Sequence, residues 1–339
     1  MRIFFLLIIL STSLNATSQD RRFSYSAIKM GSPFRIVLYA KDSSTADALA
    51  KASWQLVDSL NAIFSDYLPG SELNRLSATA GKDSFVAVSA HLFKVLLHAE
   101  QAWKLTEGSF DITIGVLSHS WRRWRREKVF PVADSVILAL HKKGFSKVVI
   151  DKKKKRVKLL QAGIQLDLGG IAAGYVAEEV IRFLTSKGVS AALADASGDI
   201  VCSGPPPGRP GWSIGINLPG KENDLLPETI FLYGKSVSTS GDVFQYFEHR
   251  GKRYSHIIDP TTGYGVTHQR NVTVIADDGI TADWLASACS ILPLKKVRAL
   301  VKKTGSEFLI TEMKNGKLQS YFSKNFKNYW GKQKDIQYF

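Results

Sequence analysis

The alternation of apolar and polar positions divides the chain into short strands and amphipathic helices. Phe34 to Ala40 is β-rich and apolar and reads as a strand. Leu49, Leu56, Val57, Leu60, Ile63 and Phe64 recur at helical spacing, which predicts a core-facing helix over 45–64. A second helix is expected over about 90–105, and a third over Val136–His141, ending near Gly144. Val148–Ile150 and Val157–Leu160 flank a lysine run, the pattern of a hairpin with a solvated tip. Gln165 to Gly174 reads as a strand end that turns through glycines into a helix with Val176, Val180 and Leu184 on one face. Further strands are expected at Ala191–Leu193, Trp212–Ile216 and Asn271–Ala276, and a helix at about 281–292. Phe308–Thr311 and Leu318–Phe322 read as a hairpin across Asn315-Gly316. Strands and helices mix without strict β-α alternation, so the expected fold class is α+β. The stretch Pro205-Pro-Pro-Gly-Arg-Pro210 is the expected seam between subdomains.

The first twenty residues stand apart. Arg2 precedes an unbroken apolar run from Ile3 to Leu10, with Ala16 and Ser18 suited to cleavage before Gln19. Eight apolar residues fall well short of the roughly 20 that a span needs, so the segment reads as a signal peptide over 1–18. No cysteine follows the run to accept a lipid, and the mature chain, 19–339, is expected to be one exported, periplasmic domain without a membrane span. Removing the leader leaves 44 basic against 30 acidic residues, a net charge of +14 that favours anionic partners. Part of this charge lies in Trp121-Arg-Arg-Trp-Arg-Arg126, which reads as a solvated loop or as a binder of phosphate-bearing ligands or single strands. Export argues against a nucleic-acid partner. Cys202 and Cys289 are too few for a disulfide scaffold and read as buried small residues, with a pairing between them left open. The chain has no G-x-G-x-x-G, G-x-x-x-x-G-K-[ST] or H-E-x-x-H, so the dinucleotide-binding, P-loop and zincin classes lose their signature.

Three segments carry the candidate chemistry. Asp167-Leu-Gly-Gly170 opens a helix, where glycines admit a ligand close to the backbone and free N–H groups face an anion; the same turn also serves ordinary structure. His256 stands three residues before Asp259 in a Pro-Thr-Thr-Gly turn, placed either as a general base or within a structural hydrogen-bond network. Asp283 and Ser287, four residues apart on a helix, turn their oxygens the same way. That pair suits a hard cation such as Mg²⁺, completed by substrate phosphates, or else is a dipole-favoured acid beside an unrelated serine.

Eight motifs in one order resemble the ApbE family, the FAD:protein FMN transferases. They are Met30-Gly-Ser-Pro-Phe34, Tyr67 to Leu76, Gly108-Ser-Phe-Asp-Ile-Thr-Ile-Gly115, Asp167 to Tyr175, Ser197 to Ile200, Ser238 to Asp242, Arg253 to Tyr264 and Ala282 to Ser287. The resemblance implies two intimately joined α/β subdomains with the flavin site between them. It implies Mg²⁺-dependent transfer of FMN from FAD to a threonine or serine hydroxyl of an acceptor protein, releasing AMP. Membrane-bound or exported redox proteins would be the acceptors. Met30, Tyr67, Ser109, Phe110, Asp111, Asp167, Ala173 and Ile258 would then line the FAD site. Asp283, Ser287 and the Gly170 carbonyl would hold the metal, and His256 would be the base. Two departures stand out. Ala173 occupies a position that is lysine in many relatives, with Arg253 or the arginines at 122–126 as the expected stand-in. Asp195-Ala-Ser-Gly-Asp199 replaces Asn-Leu-Gly-Gly-Asp and is expected to reshape the ligand pocket. Hydrolysis of FAD to FMN and AMP, and flavin binding without catalysis, are the alternative readings.

Overall fold

The computed structural model describes residues 20–219, 225–241 and 245–331; the leader expected over 1–18 lies outside them. Its centre is an eight-stranded sheet in which every neighbouring pair is antiparallel. In spatial order the strands are Arg21–Lys29, Ser32–Ala40, Ala192–Ala196, Asp199–Cys202, Ser236–Gly241, Gln269–Ala276, Glu307–Lys314 and Lys317–Phe322. Both faces of this sheet are covered. Phe34, Ile36 and Leu38 meet the helices on one side, while Val37 joins a second cluster with Trp212, Ile214 and Ile230 on the other. A strand buried on both faces needs apolar residues at consecutive positions, and so Phe34–Ala40 lacks a clean alternation.

Eight α-helices lie among the described residues: α1 (Ser43–Phe64), α2 (Glu72–Ser77), α3 (Ala90–Leu105), α4 (Gly115–Glu127), α5 (Ala133–Leu140), α6 (Ala172–Ser186), α7 (Gly279–Ile291) and α8 (Leu294–Thr304). The long α1 starts where the Asp42 side chain accepts from the Thr45 N–H at 2.8 Å and buries Val57, Leu60 and Phe64. None of the described helices is long and apolar enough to cross a membrane. A three-stranded sheet, with Trp212–Asn217 and Leu225–Leu232 as neighbours, covers the other face of the large sheet. The proline stretch at 205–210 is the crossover between these two sheets, which share one apolar cluster; it is no boundary between separate cores.

The helices α6 and α7 meet backbone to backbone. A Cβ on Gly174 would fall onto the Gly279 carbonyl oxygen, and one on Gly279 would fall onto that of Gly174. Each helix also offers the other a carboxylate. Asp283 Oδ2 accepts from the Gly174 N–H at 3.0 Å, and Glu178 Oε2 accepts from the Gly279 N–H at 3.2 Å. Gly174→Ala is therefore expected to destabilise the protein by about 2–3 kcal/mol, because the added methyl pushes the two helices apart. Thermal melting checks it, and an unchanged melting temperature would contradict the crossing.

Several elements carry no sequence expectation, among them α2, α8 and the strands Arg21–Lys29, Leu225–Leu232, Ser236–Gly241 and Tyr246–His249. The strand expected at Gln165 reduces to a single bridge to Ile114. The two cysteines are buried and free: Cys202 faces the small sheet and Cys289 the helical layer, so the large sheet separates them and precludes a pairing.

Candidate active site

The arginine-rich segment at 121–126 is not a solvated loop but the second half of α4. Trp121 and Trp124 are buried with Leu117, Val136 and Ile258 in a third apolar cluster, so the tryptophans anchor the helix and the arginines between them project from it. Nor do the aromatic rings offer a stacking platform for nucleic-acid bases, since the two tryptophans are 2% and 9% exposed. Trp121 Nε1 donates to the Ser255 carbonyl at 3.0 Å, which fixes the chain one residue before His256.

His256 follows the strand Lys252–Ser255. Its Nδ1 lies 3.2 Å from the Gln245 carbonyl oxygen. A carbonyl only accepts, so the hydrogen sits on Nδ1 and the Nε2 lone pair is left free to accept a proton. Burial is the main reason that the imidazole pKa falls to about 4; the Gln245 bond opposes the fall and the Arg125 charge adds to it. His256 is thus neutral at pH 7. Gln245 also ties in Arg125, whose Nη2 donates to Gln245 Oε1 at 2.9 Å while its Nη1 is buried without a hydrogen-bond partner.

One turn earlier on α4, Arg122 pairs with Asp66 and lies 3.6 Å from Asp167 Oδ2. His119 Nε2 also meets Asp66, at 2.9 Å. This clamp joins the loop carrying Tyr67 to the glycine turn, where Asp167 Oδ1 accepts from the Gly169 N–H at 2.7 Å. Tyr67 is half exposed and faces the hairpin turn of Met30 and Gly31; a Cβ on Gly31 would stand 3.6 Å from the Tyr67 hydroxyl. Met30 itself adopts φ +53°, a left-handed turn position.

The glycine turn leads directly to the middle of α7, which carries Asp283 and Ser287. A Cβ at Gly170 would sit 2.9 Å from Ser287 Oγ and 3.3 Å from the Phe110 ring, so glycine leaves a cradle that any side chain would fill. The buried Asp283 carboxylate lies one turn before Ser287 and accepts from the first backbone N–H groups of α6, at Ala173 and Gly174. Its pKa is raised well above the usual carboxylate range, by burial and then by the nearby Asp199 charge. The Asp199 carboxyl, hydrogen-bonded by Ser238, is itself pushed up to about 7 by burial. A buried carboxyl whose charge is disfavoured by a second, partly buried carboxyl beside it forms a place where a cation is stabilising. Among the described residues no three His, Cys, Asp or Glu side chains gather into a metal cluster. The donors here are the Asp283 carboxylate and the Ser287 hydroxyl, oxygen groups that suit a hard cation that keeps waters.

The sequence-expected residues therefore fall into three linked groups: Gly170, Ser287, Phe110, Asp283 and Ala173; Met30, Tyr67 and Asp167; His256 with Ile258 behind it. Ser109 neighbours the first group through Phe110. Asp111 stands apart. Its carboxylate accepts from the Thr113 N–H and hydroxyl and from the Phe145 N–H, so it locks its loop and turns no oxygen outward. Asp195 points away from this region, although its charge adds to the rise in the Asp199 pKa. It pairs with Arg35 and lines a cavity of about 400 Å³ between the two sheets. Strand pairing sets Asp195 on the face opposite Asp199. Asp199, Arg122 and Arg125 are the site residues to which sequence gave no individual role. The one available signal for Asp199 was its place in the Ser197–Ile200 motif.

A model of the ApbE family matches residues 30–310. The chain belongs to the ApbE family. A FAD:protein FMN transferase of Klebsiella pneumoniae is 33% identical over 267 residues, covering 78% of this chain and 81% of that protein. One of Haemophilus influenzae is 29% identical over 332 residues, covering 94% and 95%. Among solved structures, the apo flavinyl transferase ApbE of Pseudomonas stutzeri superposes with a TM-score of 0.80 at 28% identity, covering 92% of this chain and 97% of that one. The flavin transferase ApbE of Vibrio cholerae gives 0.82 at 26% identity, covering 91% and 99%. Segments 108–115, 167–175 and 282–287, three of those on which the resemblance rests, meet around Gly170.

Proposed function

We propose that this chain transfers FMN from FAD to a threonine or serine hydroxyl of an acceptor protein and releases AMP. The observation that carries the reading is the meeting of Asp283, Ser287 and Gly170 within an ApbE scaffold. Asp283, Ser287 and the Gly170 carbonyl would hold Mg²⁺, which when bound offsets the charge of the pyrophosphate and orients it. The chain's own residues supply the rest. His256 takes the hydroxyl proton at Nε2 as the acceptor oxygen attacks the phosphorus of the FMN half; the bond to the AMP oxygen breaks, and AMP leaves with the electron pair. Tyr67 offers an exposed ring face to the flat flavin. Ala173 has no charge to place on the pyrophosphate, and Arg122 and Arg125 on α4 supply positive potential in the lysine's stead. The acceptors are membrane-bound or exported redox proteins, reached after the 1–18 leader is removed.

The test is AMP release from FAD and Mg²⁺, with and without a protein acceptor. Acceptor-dependent AMP with flavin fluorescence on the acceptor band is expected. AMP and free FMN without acceptor would make water the acceptor instead. Tight FAD binding with no AMP in either arm would overturn both enzymatic readings.

A further inference from the structure

Residues 122–147 hold eight basic side chains against two acidic ones, a large part of the chain's net +15 in 26 positions. The same segment concentrates exposed aliphatic surface. Val129, Val132, Ile137 and Leu138 are 54%, 67%, 50% and 67% exposed, within ten consecutive residues. The cause is the composition of α5, Ala-Asp-Ser-Val-Ile-Leu-Ala-Leu, which has more apolar positions than one buried face can take. Val136 and Ala139 turn inward onto Leu117 and Ile258, and helical spacing then forces Ile137 and Leu138 outward. The outer ridge begins at the exposed Asp134, one turn before Ile137 and Leu138, and ends in cations. His141 and Lys142, one turn beyond Ile137 and Leu138, are exposed, and Lys128 precedes Val129 in an exposed left-handed turn. Arg123 and Arg126, on the last turns of α4, are exposed as well.

An aliphatic patch bordered by lysines differs from the usual protein-docking patch, where aromatic anchors and arginine are enriched and lysine is depleted. It matches the requirement of an interfacial surface, with apolar tips at the acyl boundary and long basic side chains reaching headgroup phosphates. We infer that the face formed by Val129, Val132, Ile137 and Leu138, with Lys128 and Lys142 at its border, seats on an anionic membrane surface. The chain lies on the bilayer without entering its core. Because α5 packs beneath Ile258 and the Gly263 turn, this face flanks the segment that carries His256. A bilayer-bound acceptor would then share a surface with the base. Membrane seating goes beyond flavin transfer and stands or falls independently of it.

The full mature chain, without FAD, is sedimented with vesicles of phosphatidylcholine alone or mixed with phosphatidylglycerol. Wild type is expected to bind the anionic vesicles, less so as salt rises, and to bind the neutral ones weakly. Ile137→Glu with Leu138→Glu should lower partition onto anionic vesicles about tenfold or more, since two aliphatic side chains no longer leave water. Lys128→Gln with Lys142→Gln should weaken binding and flatten its salt dependence. Melting curves of both variants should match wild type, because these side chains face solvent. Anionic binding that ignores the Ile137 and Leu138 changes would reduce the effect to net charge and overturn the proposal. So would a wild type that ignores vesicles while the glutamate variant loses transfer to a soluble acceptor, the result expected of a protein-docking face. A chain that binds vesicles and never releases AMP would instead remove the proposed chemistry and leave the membrane face standing.

Discussion

Asp283→Asn is expected to lower AMP release from FAD by about a thousandfold and to remove its response to Mg²⁺. A metal clamp on transferring phosphoryl groups supplies several kcal/mol of transition-state stabilisation, and one lost carboxylate ligand forfeits most of it. The binding step can be read without turnover. Mg²⁺ should raise the melting temperature of the wild-type chain, as any ligand specific to the folded state does, and should leave the variant unmoved. Without metal the variant should melt within a few degrees of wild type, because it loses a buried carboxyl that burial and Asp199 already disfavour. An undiminished Mg²⁺ shift in Asp283→Asn would remove this residue from the cation site. Ser287→Ala should give the same pattern with a smaller loss, since a neutral hydroxyl contributes less than a carboxylate.

His256→Ala is expected to slow transfer by about 10²–10⁴-fold, the usual contribution of a positioned base, with FAD affinity close to wild type. The pH behaviour separates a base from a structural residue. With the imidazole pKa near 4, His256 stays unprotonated through neutral pH, so activity should fall along an acid limb approaching pH 4 and not near the usual histidine value. Stability carries the matching sign. The unfolded chain protonates this histidine near pH 6.5 and the folded chain resists it. The stability contribution is therefore full above about 6.5 and is lost as pH falls toward 4. His256→Ala should flatten that part of the melting curve against pH. Transfer rates unchanged in the variant would assign His256 to structure alone.

The parts of the architecture that sequence made visible are those whose neighbours in space are also neighbours in sequence. Helix α1 declares itself through an apolar face that repeats every turn, and the hairpin at Asn315-Gly316 through residues that accept left-handed φ, here +51° and +72°. Helix α4 was hidden for the opposite reason. Its Trp121 and Trp124 stand three apart among arginines, a pattern that reads as polar and becomes an apolar stripe only when Ile258 and Val136 arrive from elsewhere. Asp111 shows the converse limit. Its motif marks it as a site residue, while its carboxylate is spent on Thr113 and Phe145, and no local pattern announces which way a short acidic side chain will turn.

The sequence alone determined the family, through eight ordered motifs, and the shared orientation of the Asp283 and Ser287 oxygens, because one helical turn fixes their relation wherever the helix is placed. It also determined the class of chemistry to expect, since residue type sets which groups can ligate or accept a proton. Tertiary structure decided what those residues face. The crossing at Gly174 and Gly279 brings the start of α6 onto Asp283, and strand pairing sets Asp199 toward that carboxylate and Asp195 away from it. The Gln245 carbonyl selects the histidine tautomer from across a hairpin, and helix α4 delivers Arg122 to Asp167. Most of these relations join residues dozens to more than a hundred positions apart, and that of Gln245 and His256 spans 11. They arise from packing free energy, which depends on which surfaces meet, and the order of residues along the chain does not express it locally.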